Sequence, residues 1–288
     1  MRTPLAAFLV LVLCVPSLAA ATGEPTDEGA RLATELGCAA CHDGLDVAVG
    51  TRGHAPDLSY AGLRWQPGYL LTYLRDPGRV RRHVGASRMP DFALSEEEAL
   101  ALALFLGEQR AVPGSSETAA GDAAGQRAAA GAGSALAPDE ETLVAALREQ
   151  SCLTCHVWRG QGGVVGPELS DAGARLDSGW VARFLIDPAA FGVPDGVMPA
   201  LLLRPDASGA VAPTTPGADA ALSRIVAGLA ALGRAASEQR AAVFAAARAR
   251  HPALDAAAGE RVFTALRCAA CHPLAGHSPR GDGGSTPW

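Results

Sequence analysis

Apolar residues recur along the chain at helical spacing, in segments separated by Gly, Pro and polar residues. Ala99–Leu106 follows Ser95 and Glu98, and this Ser-x-x-Glu pair predicts a capping box at a helix start. Ala218–Ala235 predicts a comparable helix. Further helices are predicted over Glu28–Leu36, Glu140–Gln150 and Ala256–Leu266, and from Ser237 to about Arg250. Strand signals are absent, so the predicted fold class is all-α.

The N-terminus has the layout of a secretory signal peptide. Arg2 precedes an apolar stretch, Leu5–Val15, and the small residues Ala19–Ala21 resemble a cleavage site. Residues 1–21 are therefore predicted to be a signal peptide, and the rest of the chain to be exported to the periplasm or beyond. The alternative is an uncleaved single-span membrane anchor.

The chain contains an internal repeat on either side of an Ala/Gly/Ser-rich linker at residues 113–137. Each repeat carries, in the same order, Cys-x-x-Cys-His, Pro-[Asp/Glu]-Leu-Ser, an aromatic residue, Asp-Pro and Met-Pro. The predicted domains are residues 22–112 and 138–236, followed by a partial third domain at 237–288. The flexible linker suits domains that dock independently on a donor and an acceptor.

Six of the seven cysteines form three pairs of identical spacing, each followed by histidine. This pattern fits covalent haem attachment, in which both thiols join the porphyrin and the imidazole reaches the iron. A zinc knuckle needs paired motifs close in sequence, a thioredoxin-like redox pair needs a βαβ unit, and structural disulfides give no role to the three histidines. The predicted attachment residues are Cys38, Cys41, His42, Cys152, Cys155, His156, Cys268, Cys271 and His272.

Two methionines besides the initiator occupy corresponding places in the two repeats. Met89 and Met198 each precede a proline and then a helical segment. A lone methionine is more often filler in a hydrophobic core. The matched positions instead favour the second axial ligand of a haem iron, where methionine sulfur supports a high potential.

The motifs Cys-x-x-Cys-His, Pro-[Asp/Glu]-Leu and Met-Pro resemble those of the class I cytochrome c family. The resemblance implies tandem helical domains built around covalently attached haem c. It implies that Pro56 and Pro167 lend their carbonyls to the proximal histidines, which orients each imidazole. The metal ligands it implies are His42, Met89, His156, Met198 and His272.

The third motif departs from this pattern because no methionine follows it. His277 would need a nearly extended backbone to reach the opposite haem face. His251 is the better candidate, although a surface histidine is the plainer interpretation of both. Three interpretations stay open: a truncated domain, which we favour, a domain completed by a partner, or an open iron.

Composition narrows the function further. Apolar residues make up 49% of the chain and charged residues 19%, which excludes a disordered charged tail. The net charge of −6 argues against a general nucleic-acid binder. We expect a multihaem electron carrier between redox proteins, without catalytic residues. The alternatives are a haem subunit of a larger dehydrogenase or oxidase, and a dihaem peroxidase-like enzyme with an open third haem.

Overall fold

The computed structural model of the protein describes residues 28–35, 55–77, 89–111, 138–163, 165–191, 198–205 and 211–277. The chain divides into two compact units, residues 1–50 and residues 51–288. The predicted signal peptide (1–21), the predicted linker (113–137) and the first motif, Cys38, Cys41 and His42, lie outside the described residues.

The fold is mainly α-helical, which confirms the predicted fold class. The first unit contains α1, and the second contains α2 to α9 in its described part. In chain order the helices are α1 (Glu28–Glu35), α2 (Ala61–Arg64), α3 (Pro67–Arg75), α4 (Glu96–Gly107), α5 (Glu140–Glu149), α6 (Ala172–Arg175), α7 (Ser178–Ile186), α8 (Ala218–Arg250) and α9 (Ala256–Ala265).

Two short antiparallel ribbons interrupt the helices, although no strand was predicted. Strand β1 (Val157–Trp158) pairs with β2 (Gln161–Gly162), and β3 (Leu203–Pro205) pairs with β4 (Val211–Pro213). Strands of two or three residues are too short to show the alternation by which a sequence indicates a strand.

Helix α4 begins with the predicted capping box. The hydroxyl of Ser95 accepts from the backbone N–H of Glu98 at 3.2 Å, and the Glu98 carboxylate accepts from the N–H of Ser95 at 2.9 Å. These bonds hold the pKa of the Glu98 carboxyl below its ordinary value. The cap fixes the start of the helix that lines the first core.

Helix α8 is continuous over 33 residues, so the break expected at Ser237 does not occur. The Ser237 hydroxyl donates to Oε1 of Gln66 at 2.5 Å instead of capping a new helix. Alanine-rich sequence on both sides favours continuation. The helix therefore crosses the predicted domain boundary between residues 236 and 237. No helix in the described ranges is both long and apolar enough to cross a membrane.

The second unit contains two hydrophobic cores. The first forms within residues 55–111 and also includes side chains of α8 and of the C-terminal segment around α9. The second forms from α5, α6, α7 and the N-terminal half of α8, with a buried contribution from Tyr60. The described part of each repeat thus supplies most of one core, and the C-terminal segment contributes to the core of the first repeat.

The two repeats meet about a local two-fold axis. Trp65 and Leu176, which correspond in the repeat, face each other in an antiparallel bridge. The N–H of Gln66 donates to the carbonyl of Arg175 at 2.9 Å. In the reciprocal bond, the N–H of Asp177 donates to the carbonyl of Arg64 at 3.0 Å. Equivalent backbone positions therefore bind each other.

Arginine side chains cross this two-fold contact in both directions. The Arg64 guanidinium lies 4.9 Å from the ring centroid of Trp180, and that of Arg175 lies 5.9 Å from the centroid of Tyr69. Such cation–π contacts gain strength when the pair is withdrawn from water. The two repeats are thus joined directly by side chains rather than through the linker alone.

Gln66 is the central side chain of this contact. Its Nε2 donates to the carbonyls of Gly173 and Leu176, each at 2.9 Å. We expect Gln66→Ala to lower the free energy of unfolding by about 1–3 kcal/mol, because two half-buried carbonyls lose their donor. Urea denaturation of the full chain measures the change.

The control is Gln239→Ala, on the exposed face of α8, which we expect to change stability by less than about 0.5 kcal/mol. Equal effects of the two substitutions would show that the contact between the repeats does not depend on Gln66.

Candidate functional site

The second motif lies on a tight turn after α5. Ser151 has φ 58°, in the left-handed region, and a turn of 3₁₀ helix follows over Cys152–Thr154. The thiols of Cys152 and Cys155 are both free, and that of Cys155 lies at the surface. Burial raises the pKa of the Cys152 thiol. The turn places the two thiols immediately before the histidine.

The His156 imidazole is oriented by a backbone carbonyl. Its Nδ1 lies 2.7 Å from the oxygen of Pro167 and, facing a carbonyl, donates the hydrogen bond. The lone pair is then on Nε2, the nitrogen that is left to bind a metal. A Cβ at Gly166 would lie 2.7 Å from two atoms of the ring, so the loop backbone packs closely against the imidazole.

Two more hydrogen bonds join the same two segments. The N–H of Leu169 donates to the carbonyl of Val157 at 2.9 Å, and the N–H of Arg159 donates to the Ser170 hydroxyl at 2.7 Å. Together with the histidine–proline bond they form a three-bond clasp between the motif and Pro-Glu-Leu-Ser. The position of the imidazole is therefore fixed by bonds between residues 156–159 and residues 167–170.

The third motif forms an equivalent clasp, but with a segment 216 residues away. Its partner is the Pro-Asp-Leu-Ser run of the first repeat. The three bonds are His272 Nδ1 to Pro56 O at 3.0 Å, Leu58 N to Pro273 O at 2.8 Å, and Ala275 N to Ser59 Oγ at 2.9 Å. The structure thus brings Pro56 to His272.

Burial distinguishes the third histidine. Removal from water lowers the pKa of His272, and the bond to the Pro56 carbonyl opposes that effect in part. The neutral imidazole is the form that binds a metal. The surroundings of His272 therefore favour the metal-binding form.

The two predicted methionine ligands are both half-buried. Met89 packs against the first core, and Cys268 and Ala269 of the third motif pack against that same core. Met198 lies at the start of the described segment 198–205. Met89 and the third motif therefore pack against the same core.

The two histidines considered for the third site have other partners. His251 Nε2 lies 3.4 Å from a Glu96 oxygen, and His277 Nε2 lies 3.3 Å from a Glu260 oxygen. The His277 ring also packs against Phe263 at 5.3 Å between centroids. The sequence reasoning did not expect the third motif to pack on the same core as Met89, although the identical Cys-Ala-Ala-Cys-His runs indicated that one motif could replace the other.

Helix α9 holds the third motif in place by crossing α4. A Cβ at Gly259 would lie 2.0 Å from the carbonyl oxygen of Ala101, so the two backbones meet at the glycine. Phe263 is 1% exposed and lies 5.4 Å from the ring of Phe105. In the second repeat, α5 also contacts α8 at a glycine, but there the side chain of Leu143 packs on Gly228, and an added Cβ would lie 3.0 Å from Leu143 Cβ.

The residues at the second motif fit a haem. The Nε2 of His156 faces away from its carbonyl partner, and two free thiols precede it. Trp180 Nε1 is buried and has no hydrogen-bond partner within the described ranges, so it offers a donor to a bound carboxylate.

Comparison with known families agrees with this chemistry. Residues 24–106 match the family model described as cytochrome c oxidase, cbb3-type, subunit III. The matched range contains the first motif together with Pro56 and Met89. No curated protein and no solved structure matches the chain significantly.

Phe263 is the side chain on which the seating of α9 depends most. We expect Phe263→Ala to lower the free energy of unfolding by about 3–5 kcal/mol, because it empties a fully buried site between α4 and α9. Denaturation monitored by circular dichroism measures the loss.

The matched control is Val243→Ala on α8, since that side chain is 39% exposed. We expect it to change stability by about 0.5 kcal/mol or less. A similarly small loss for Phe263→Ala would contradict the packing of α9 on α4.

Proposed function

We propose that this protein, whose residues 24–106 are a class I c-type cytochrome domain, is a multihaem carrier of single electrons between redox proteins. The domain binds haem c covalently and belongs to a family of electron carriers. The observation that supports more than one haem is the three-bond clasp, which occurs at the second motif and again at the third.

In the second domain, Cys152 and Cys155 attach the haem and His156 binds its iron. Pro167 fixes the imidazole through its carbonyl, and Met198 would supply the other protein ligand to the iron. Bound haem supplies one-electron exchange between ferric and ferrous iron. The protein orients the imidazole and keeps the proton on Nδ1.

The other two motifs extend the same chemistry. Cys38, Cys41 and His42 begin the first repeat, and Cys268, Cys271 and His272 make the third attachment site. In the core formed by residues 55–111, Met89 would bind the haem iron, and the carbonyl of Pro56 would accept a hydrogen bond from the proximal histidine. We expect three attached haems: two with histidine and methionine ligands, and a third at the motif that is left.

Electron transfer suits this ligand set better than catalysis. An iron with histidine on one face and methionine on the other has no position for substrate, and it exchanges electrons without changing ligands. The alternative of a peroxidase-like enzyme needs an open third haem. Met89, which packs on the same core as Cys268, supplies a candidate ligand at that position and weakens this alternative.

The family description favours a second candidate function. A match to subunit III of an oxidase suggests that the protein delivers electrons within a terminal oxidase complex. Stable co-purification with membrane-bound oxidase subunits from native membranes supports this assembly. Recovery as a free species that exchanges electrons with several partners supports the independent carrier.

We further propose that the protein is exported and acts in the periplasm. The apolar N-terminal segment with its predicted cleavage site supports export. So does the covalent chemistry of haem c, which requires reduced thiols to meet haem outside the cytosol.

Met198 tests the proposed ligation of the second haem. The full chain is produced in a host that attaches haem c, and intact mass gives the haem number. We expect Met198→Ala to keep that number, to lower the potential of one haem by a sizeable part of the roughly 0.8 V range set by axial ligands, and to admit carbon monoxide.

Leu201→Ala is the control, because this side chain lies three residues along and is 43% exposed. It should leave the potential and carbon monoxide binding unchanged. A colourless protein, or paired thiols that hold zinc, would refute the proposed function itself.

Gly166 tests the orientation of the proximal imidazole. Gly166→Ala places a methyl group against the His156 ring and should weaken its bond to Pro167. We expect a lower reduction potential or incomplete attachment at the second haem only. Gly107→Ala, where an added Cβ meets nothing within 4 Å, should change neither property.

A further inference from the structure

Two motifs in this chain match one set of partners by sequence. The first and third motifs have the same Cys-Ala-Ala-Cys-His run and the same step from an arginine to the first cysteine. For these two motifs the sequence offers one Pro-Asp-Leu-Ser run, residues 56–59, and one following methionine, Met89, because the other such run and methionine belong to the second repeat. In the structure the Pro56 carbonyl and the buried Ser59 hydroxyl are bound to the third motif.

The third motif packs against the first core in the way that the second motif packs in its own domain. Both make the clasp with Pro-[Asp/Glu]-Leu-Ser. Both follow a helix that crosses the long helix of their core at a glycine, Gly259 on α9 in one case and Gly228 on α8 in the other. The C-terminal segment therefore completes the first core in the way that α5 and its motif complete the second.

We propose that Cys268, Cys271 and His272 carry the haem whose iron takes Met89 as its second axial ligand. This assignment rests on the proposed function, since it names the ligands of one of its haems. Sequence order within the matched range, residues 24–106, would instead pair Met89 with His42. The contacts of Pro56 and the shared core of Met89 and Cys268 support the C-terminal motif.

The consequence is a haem domain closed by the far end of the chain. Residues 55–111 supply the proline carbonyl, the methionine and α4, and residues 256–277 supply the helix, the thiols and the proximal histidine. Met89 and Met198 are the methionines of the sequence besides the initiator, so a haem at the first motif is then left without a methionine ligand. We expect its iron to bind carbon monoxide more readily than the other two.

A pair of matched variants tests the assignment. Gly29 in α1 precedes its motif by the same number of residues as Gly259 in α9 precedes the third. Gly259→Leu blocks the crossing of α9 on α4, whereas Gly29→Leu leaves it intact. The full chain is produced with haem, and the ferric charge-transfer band of His/Met haems is measured together with haem number.

We expect Gly259→Leu to remove about half of this band, because one of two methionine-ligated irons loses its ligand, and to leave the haem number unchanged. Gly29→Leu should keep the whole band. Loss in Gly29→Leu, equal loss in both variants, or no loss in either would overturn the assignment.

Hydrogen exchange provides a readout that does not depend on haem. In the unsubstituted protein, amides of α9 should exchange more slowly than those of α1, since α9 is packed on α4. If Gly259→Leu does not fold, the double variant Ala33→Phe with Phe263→Ala replaces it. In this variant the buried phenylalanine is moved from α9 to α1. We then expect slow amide exchange in α1 instead of α9, with the His/Met band retained. Slow exchange in α1 of the unsubstituted protein would overturn the assignment. Absence of attached haem would instead refute the proposed function, while exchange still reports which helix is docked.

Discussion

The arrangement of the molecule depends on one hydrogen bond, from Nδ1 of a motif histidine to a proline carbonyl. It occurs at His156 with Pro167 and at His272 with Pro56. Because the carbonyl fixes the proton on Nδ1, it leaves the lone pair of Nε2 available for a metal and sets the plane of the ring. A backbone acceptor cannot rotate away as a side chain can. The core that surrounds the loop therefore also determines the direction in which the imidazole binds.

The choice between the first and third motifs follows from two opposing local effects. Arg267 adopts φ 54°, a left-handed conformation that costs a non-glycine residue about 1–2 kcal/mol. The first motif has Gly37 at this place and avoids the cost. Against this, α9 buries Phe263, where α1 has alanine at the corresponding position, Ala33. A buried Phe is worth about 3–5 kcal/mol over Ala, so its burial outweighs the backbone cost and favours the C-terminal segment.

Sequence reasoning reached the elements that depend on neighbouring residues and missed those that depend on distant ones. The capping box of Ser95 and Glu98 and the helices before the motifs are local, and the pattern predicted them. The partner of the third motif could not be chosen from sequence, because two identical pentapeptides have the same local preferences. Ser237 was misplaced for the same reason: a hydroxyl that suits a helix cap equally suits a bond to Gln66, which lies 171 residues away.

The two-fold contact between the repeats bears on the proposed electron transfer between haems in the two domains. A flexible linker alone would let the domains move apart, and transfer between them would then depend on encounter. Here Arg64 lies over Trp180 of the other repeat, and Tyr60 donates to the carbonyl of Phe191 across the same contact at 3.0 Å. Trp180 and Phe191 also belong to the core of the second domain. The path between the two cores therefore runs through packed protein. On the proposed function, transfer between haems in the two domains would depend on this interface rather than on the linker's length.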